Sequence, residues 1–388
     1  MSTPATILLL LTATLAPSLR ASAQWKIQDS HTTASLRGIH SLGAGVAWAS
    51  GTNGTVLRTT DDGATWQACT KPPEAEQLDL RGIHAFDRNT AIVMSSGKGN
   101  LSRLYKTTDA CKTWRLVLSN PDKDGFWDAI RFDSASVTKA DYPPHNPCFG
   151  VLLGDPVHRQ FVILLTYDCG EHWERQLGRS GDIPQGESIF AASNSSLTLN
   201  GLIDRIFVTG GPTGPHIYTF WVAPNDTNTP GPLYVLNGAG SLHHTPRGWQ
   251  VDPLPIHKTG ESAGAFSIAH DTPDSQHQQT VIVGGNYKLP DDPQDTAWFL
   301  GDHQKWQPSE TPPHGYRSSV AYDSASKAWI TVGPNGTDIS TDAGHNWKPL
   351  TPTASDPPDA DKNWNALSLP FVVGPNGRIG KLHPTPSP

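Results

Sequence analysis

The sequence predicts an all-β chain folded as a seven-bladed β-propeller, and three observations carry that prediction. A Thr/Ser-x-Asp-x-(Gly/Cys)-x-x-Trp string occurs four times, apolar runs ending on glycine occur seven times, and a short segment of small and apolar residues precedes each run. Repetition on this scale marks radial or solenoid architectures, and four short strands with their loops fill one unit.

Composition agrees. Among 388 residues there are 36 glycines, 34 prolines and 13 tryptophans, but only 17% are charged. Many turn formers and aromatic anchors suit short strands, and no stretch holds a 3.6-residue apolar period capped at both ends. A repetitive β fold of this length is one domain, placed at residues 24–388. The net charge of −7 and the lack of basic runs argue against a nucleic-acid partner.

At the N-terminus an apolar run from Ala5 to Ala16 is followed by Ala21-Ser22-Ala23, in the manner of a small-residue cleavage site. Residues 1–23 therefore read as a signal peptide. No Lys or Arg precedes the run and Arg20 follows it; an uncleaved anchor is the alternative, yet the run falls short of the ~20 residues of a span. Export to a periplasmic or extracellular location is expected. Trp25-Lys26-Ile27-Gln28 resembles the strands that follow the Trp of each string, so it is assigned as the outer strand of the last blade. Closing the ring this way removes a free sheet edge.

The apolar runs are Val46–Gly51, Ala91–Gly97, Phe149–Gly154, Arg205–Gly210, Thr280–Gly284, Ala328–Gly333 and Phe371–Gly374. The innermost strands before them begin Leu36-Arg37, Leu80-Arg81, Trp127-Asp128, Ile189-Phe190, Ala265-Phe266, Tyr316-Arg317 and Trp364-Asn365, with the second residues spaced 44, 47, 62, 76, 51 and 48 apart. The four strings close the third strand of their units: Asp61, Gly63 and Trp66; Asp109, Cys111 and Trp114; Asp168, Gly170 and Trp173; Asp342, Gly344 and Trp347. Each aspartate is expected to accept backbone N–H bonds, each glycine to take a positive φ, and each tryptophan to cover the turn, a structural role rather than a catalytic one. Cys111 in the glycine position predicts a strained or differently shaped turn. Phe299 to Trp306 reads as a degenerate fifth copy, residues 224–248 as an irregular insertion with His243 and His244 in solvated loop, and 383–388 as a tail.

Four cysteines, Cys69, Cys111, Cys148 and Cys169, allow two disulfides in three connectivities, with Cys148 and Cys169 a plausible pair because they flank one predicted hairpin. No CxxC, HExxH or zinc-spaced His/Cys cluster occurs, so neither a metal nor another cofactor is expected. The chain is expected to act as a monomer.

Aspartate strings of this kind are known as Asp boxes. On propellers they occur in sialidases, sortilin-type receptors and the photosystem II stability/assembly factor-like proteins. The chain most resembles the exported bacterial branch of the last group. Leu36-Arg-Gly, Val46–Gly51, Gly54–Thr60, Tyr105–Asp109, Gly315-Tyr-Arg317-Ser and Gly374–Ile379 carry the resemblance over nearly the whole mature sequence. It implies a non-enzymatic scaffold binding a protein or peptide partner, such as a membrane complex under assembly.

The start of each inner strand lies near a propeller's channel, which places Arg37, Arg81 and Arg317 where guanidinium groups hold an anionic ligand. Asp128, Glu187 and Glu261 are candidates beside them; the two glutamates repeat a Gly-Glu-Ser string in neighbouring units. Alternatively each arginine pairs internally with Asp128, Asp155 or Glu187. Resemblance to sialidases implies a more ambitious version, with the three arginines on a substrate carboxylate, Tyr316 or Tyr287 as nucleophile, Glu187 or Glu261 as its partner and Asp128 as acid. Against it, an Arg-Ile-Pro segment before the first string is missing, and strand alternation turns Tyr316 and Arg317 apart. A sortilin-like receptor module is a further reading, disfavoured by the lack of an apolar span or a cysteine-rich tail.

Overall fold

The computed structural model describes residues 25–133, 148–176, 183–200, 204–220, 233–236, 242–245, 249–271, 279–301, 305–353 and 356–383. Seven antiparallel sheets are arranged as the blades of a propeller. From channel to rim, blade 1 runs Leu36–Gly43, Val46–Gly51, Val56–Thr59 and Gln67–Ala68; blade 2 runs Leu80–Ala85, Ala91–Ser95, Arg103–Thr107 and Arg115–Ser119. Blade 3 follows with Trp127–Phe132, Gly150–Val157, Gln160–Thr166 and Glu174–Arg175; blade 4 with Leu197–Asn200, Asp204–Val208, His216–Phe220 and Trp249–Pro253. Blade 5 comprises Gly260–His270, Thr280–Asn286, Ala297–Leu300 and Trp306–Pro308, and blade 6 Ser319–Asp323, Ala328–Gly333, Gly336–Ser340 and Lys348–Leu350. Blade 7 takes Ala366–Ser368, Phe371–Val373 and Ile379–Leu382 from the C-terminal end and Trp25–Gln28 from the N-terminal end, with Trp25 opposite Leu382.

The ring is held by seven apolar clusters, one between each pair of neighbouring blades. Strands buried on both faces read as continuous apolar runs, which is why Ala91–Ser95 and Ala328–Gly333 show no alternation. Trp48, Trp127, Trp298 and Trp364 are buried in these seams, and each full burial of a large apolar side chain contributes about 1.5–3 kcal/mol.

The four aspartate strings form the same turn between third and outer strands. In the first, Asp61 accepts from the Thr65 N–H at 2.9 Å and Gly63, at φ 80°, donates to Thr59 Oγ1 at 2.9 Å. The second is not differently shaped. Cys111 donates to Thr107 Oγ1 at 3.1 Å and takes a φ of 60°, so beyond the positive-φ residue that all four turns share before it, here Ala110, the replacement of glycine adds one more strained residue. Each tryptophan does more than cover its turn: Trp66, Trp114, Trp173 and Trp347 pack in the seam with the preceding blade. Trp66 donates to Gln28 Oε1 at 2.8 Å and Trp114 to the Thr70 carbonyl at 2.8 Å.

Cys69 is bonded to Cys111, tying blade 1 to the turn of blade 2, and Cys148 to Cys169 as expected. Three readings of the sequence need adjustment or fall elsewhere. The region 224–248 holds a short hairpin, Leu233–Leu236 with Leu242–Thr245, so His243 and His244 lie on a strand and not in a loop. Ile189-Phe190 does not begin an inner strand; that strand starts at Leu197, and the intervening residues cross the channel. The signal peptide at 1–23 and the tail residues 384–388 lie outside the described residues. No helix among the described residues is long and apolar enough to cross a membrane.

Candidate functional site

Inner strands of blades 1, 2, 3 and 5 share one irregularity. The pairing register jumps from Leu36 to Gly38, from Leu80 to Gly82, from Trp127 to Ala129 and from Ala265 to Ser267. Arg37, Arg81, Asp128 and Phe266 are therefore bulge residues, each re-aimed by the extra residue at the channel mouth. Gly38 lets neighbouring strands close up there, since a Cβ on it would stand 2.9 Å from the Arg81 carbonyl oxygen.

Two arginines converge. Arg81 Nε donates to Asp79 Oδ2 at 2.8 Å, and Arg37 Nε lies 3.6 Å from the same oxygen without a hydrogen-bond partner. Arg81 also reaches across the channel to the Ala191 carbonyl of blade 4 at 3.2 Å. Burial lowers the Arg37 pKa, opposed by Asp79 and reinforced by Arg81, but a guanidinium stays protonated throughout. Beside them stands an aromatic wall. Phe190 stacks on Phe266 at 4.0 Å, Tyr316 meets Phe266 edge-on at 4.8 Å, and Tyr287 is 45% exposed at the lip.

Arg317 is not brought to this mouth. It is fully buried in blade 6, where Nε donates to Asp338 Oδ2 at 2.7 Å and Nη1 to Asn335 Oδ1 at 2.5 Å. Just ahead of the inner strand of blade 6, which begins at Ser319, Tyr316 joins the aromatic wall and Arg317 turns the other way, to Asp338. Asn365, at the same register in blade 7, donates to the Leu36 carbonyl at 2.8 Å and ties the last blade to the first.

The carboxylates divide. Asp128 is buried, and neither of its oxygens has a hydrogen-bond partner among the described residues; burial, then the charge of Asp155, pushes its pKa well above the carboxylate range. Burial raises Asp155 to about 6 although it accepts from the Ile189 N–H. Glu187 is buried and committed: Oε1 accepts from Thr209 Oγ1 at 2.5 Å and from the Tyr218 hydroxyl at 3.0 Å, and lies 3.0 Å from His216 Nδ1. Glu261 is exposed on the first strand of blade 5. The partner of Arg37 and Arg81 is thus Asp79, not Asp128, Asp155 or Glu187. No group of three metal-ligating side chains occurs among the described residues.

What closes the channel below the mouth escaped the sequence reading. Ser193 Oγ donates to the Ser318 carbonyl at 2.6 Å, Ser195 Oγ to Ser267 Oγ at 2.7 Å, and Asn194 bridges blades 2 and 3 through the Ile83 carbonyl and the Ile130 N–H. The signal was present in Ala191-Ala-Ser-Asn-Ser-Ser196, too small and polar for an interior strand.

No protein-family model matches the chain and no curated protein does. Solved structures do. Over 93% of this chain and 97% of the other, at 16% identity and a TM-score of 0.57, it matches YCF48 bound to a D1 peptide. The chain shares the fold of YCF48. A second YCF48, from Cyanidioschyzon merolae, matches over 93% of this chain and 99% of its own at 19% identity and a TM-score of 0.58. A GH74 xyloglucanase from Xanthomonas campestris matches 92% of this chain but only 53% of its own length, at 16% identity and a TM-score of 0.50. Identities this low carry the fold alone, so what YCF48 binds is not thereby assigned to this protein.

Proposed function

We propose that the chain is an exported, monomeric, non-enzymatic scaffold that binds a peptide segment of a protein partner at the channel mouth, as its resemblance to photosystem II stability/assembly factors implies. The observation that carries this reading is the pairing of Arg37 and Arg81 on a single carboxylate, Asp79, beside an aromatic wall. Two guanidinium groups sharing one counter-charge leave capacity for a second carboxylate, and stacked rings suit the apolar side chains next to it. A peptide with a free C-terminal carboxylate or an acidic side chain meets both demands. The D1 peptide on a YCF48 of the same fold supports a peptide as the ligand class.

The glycosidase reading loses three of the residues it named, while Tyr287 and Glu261 stay exposed. Glu187 is spent on Thr209, His216 and Tyr218, Tyr316 is packed in the aromatic wall, and Asp128 is sealed from solvent.

The test is a fluorescence-anisotropy screen of peptides recovered from the native membrane fraction, each with a free and an amidated C-terminus. Binding that weakens about tenfold or more on Arg37→Ala and on Arg81→Ala is expected, as for a lost charge-assisted hydrogen bond. Equal affinity across wild type and both variants would sink the assignment to this mouth.

A further inference from the structure

One side of the channel mouth is basic and the other acidic, and a single three-residue segment joins them. Asp155 Oδ1 accepts the Ile189 N–H at 2.9 Å, while Arg81 Nη1 donates to the Ala191 carbonyl at 3.2 Å. Ile189 and Ala191 are two residues apart, which caps the separation of their Cα atoms at about 7 Å. Between them Phe190 stays partly exposed and stacks on Phe266.

The acidic side lacks a counter-charge. Asp155 is half-buried, and the Ile189 N–H is its only hydrogen-bond partner among the described residues, so Oδ2 is free. Asp128, on the inner strand of the same blade, is fully buried with both carboxyl oxygens unpartnered among the described residues. After burial, the charges that act on it are those of Asp155 and Arg81, which sets it between the acidic and the basic side. Arg81 is engaged elsewhere, its Nε on Asp79 and its Nη1 on Ala191. Buried carboxyl oxygens without donors point to a cationic group that the free chain does not supply.

The charges can be counted. Arg37 and Arg81 share Asp79 and so leave one positive charge, with both side chains reaching solvent. Burial raises Asp155 to about 6, so this outer carboxyl adds one negative charge at neutral pH. A ligand bearing one carboxylate and one ammonium leaves neither side unmatched.

Resting on the reading of the mouth as a peptide site, we propose that its ligand is a peptide ending in lysine, with the α-carboxylate on Arg37 and Arg81, the stem over Phe190, and the ammonium on Asp155 with Asp128 behind it. A four-carbon stem is comparable in length to the two-residue gap between the acidic and basic groups. Such a stem buries its methylenes along apolar surface while its head stays with polar groups. A peptide ending in glutamate would instead set a second carboxylate against Asp155, and like charges repel.

The experiment is fluorescence anisotropy of the full chain with N-terminally labelled pentapeptides of glycine and alanine that end in lysine, norleucine or glutamate, each with a free carboxylate, and in lysine amide. The lysine peptide is expected to bind about tenfold or more tighter than the norleucine peptide, as for one charge-assisted hydrogen bond. The glutamate peptide and the amide should be weaker still. Asp155→Asn keeps an acceptor for the Ile189 N–H and should abolish the lysine preference. Equal binding of the lysine and norleucine peptides, both weakened by Arg81→Ala, would overturn the lysine assignment and leave the mouth as a carboxylate site. A lysine preference that survives in Asp155→Asn would overturn it too. Failure of every free-carboxylate peptide to bind in a manner that depends on Arg37 and Arg81 would overturn both the assignment and the reading it rests on. Because the comparison of lysine with norleucine needs no variant, a folding defect in Asp155→Asn would not spare the idea.

Discussion

Asn194 accepts the Ile130 N–H on its Oδ1 at 2.8 Å, so that a side chain from blade 4 completes the backbone hydrogen bonding of blade 3 inside the channel. Its Nδ2 donates to the Ile83 carbonyl of blade 2 at 3.3 Å, and its φ of 59° is one that asparagine tolerates better than most residues. Asn194→Asp keeps the acceptor and loses the donor; Asn194→Leu loses both and adds backbone strain. An unsatisfied buried group costs about 1–3 kcal/mol. Urea unfolding should therefore rank wild type above Asn194→Asp and Asn194→Asp above Asn194→Leu, and a Leu variant as stable as wild type would show that Asn194 does not hold the blades.

Arg317 and Asp338 make the opposite use of an arginine at the same register as Arg37 and Arg81. Both partners are buried, with Arg317 also bonded to Asn335 and the Tyr316 carbonyl. Removing one partner of a buried pair strands the other, typically at about 3–5 kcal/mol, whereas replacing both by apolar residues of similar volume is often close to neutral. Arg317→Ala should lose stability on that scale in denaturant titrations, and Arg317→Met/Asp338→Leu should recover most of it. Peptide binding at the mouth should persist in the double variant; loss of binding there would return Arg317 to the site.

Much of this architecture was legible because propeller blades repeat. The Asp61, Asp109, Asp168 and Asp342 turns fixed the third-to-outer connection, and the glycine-ended runs supplied the remaining units, including the strand exchange that sets Trp25 opposite Leu382. Register at the mouth is legible too: the spacing of the inner strands singles out Arg37, Arg81, Asp128 and Phe266, and these are the bulge residues. Side-chain direction was not. Nothing local distinguishes Arg317 from Arg81, because the difference lies in Asp338, 21 residues away on a strand of the same blade. The apolar Ile189-Phe190 mimics an inner strand in blade 4, whereas Ile189 packs in the seam with blade 3 and Phe190 in the aromatic wall.

Cys111 carries two effects of opposite sign. Its φ of 60° costs about 1 kcal/mol relative to glycine, while its disulfide to Cys69 closes 42 residues of chain. In the chain-entropy treatment a loop of that length is worth about 4 kcal/mol. Both Cys69→Ser/Cys111→Ala and Cys69→Ser/Cys111→Gly should be less stable than the oxidised protein, with the glycine version ahead by about 1 kcal/mol because it restores the residue of the other three turns. Equal stability of the two variants in thermal unfolding would mean that the turn carries no strain at Cys111.

The aspartates predict two pH dependences of opposite direction. Hydrogen bonds from the Thr65 hydroxyl and N–H, and from Thr59, hold Asp61 near 2, below its ordinary 3.8. A carboxyl whose folded pKa is depressed stabilises the fold above the unfolded value and loses that contribution as pH falls through the folded one. Asp61→Asn should therefore flatten the acid limb of the stability curve between about 4 and about 2. Asp128 behaves the other way. Its pKa is raised by burial and by Asp155, so its contribution is present below 3.8 and is lost as pH rises. Asp128→Asn should consequently raise the melting temperature at pH 7 by more than at pH 4, the gain growing with pH. Melting curves of both variants across the acid to neutral range decide it: a gain for Asp128→Asn that is the same at every pH would show that the wild-type carboxyl is not kept protonated by the fold.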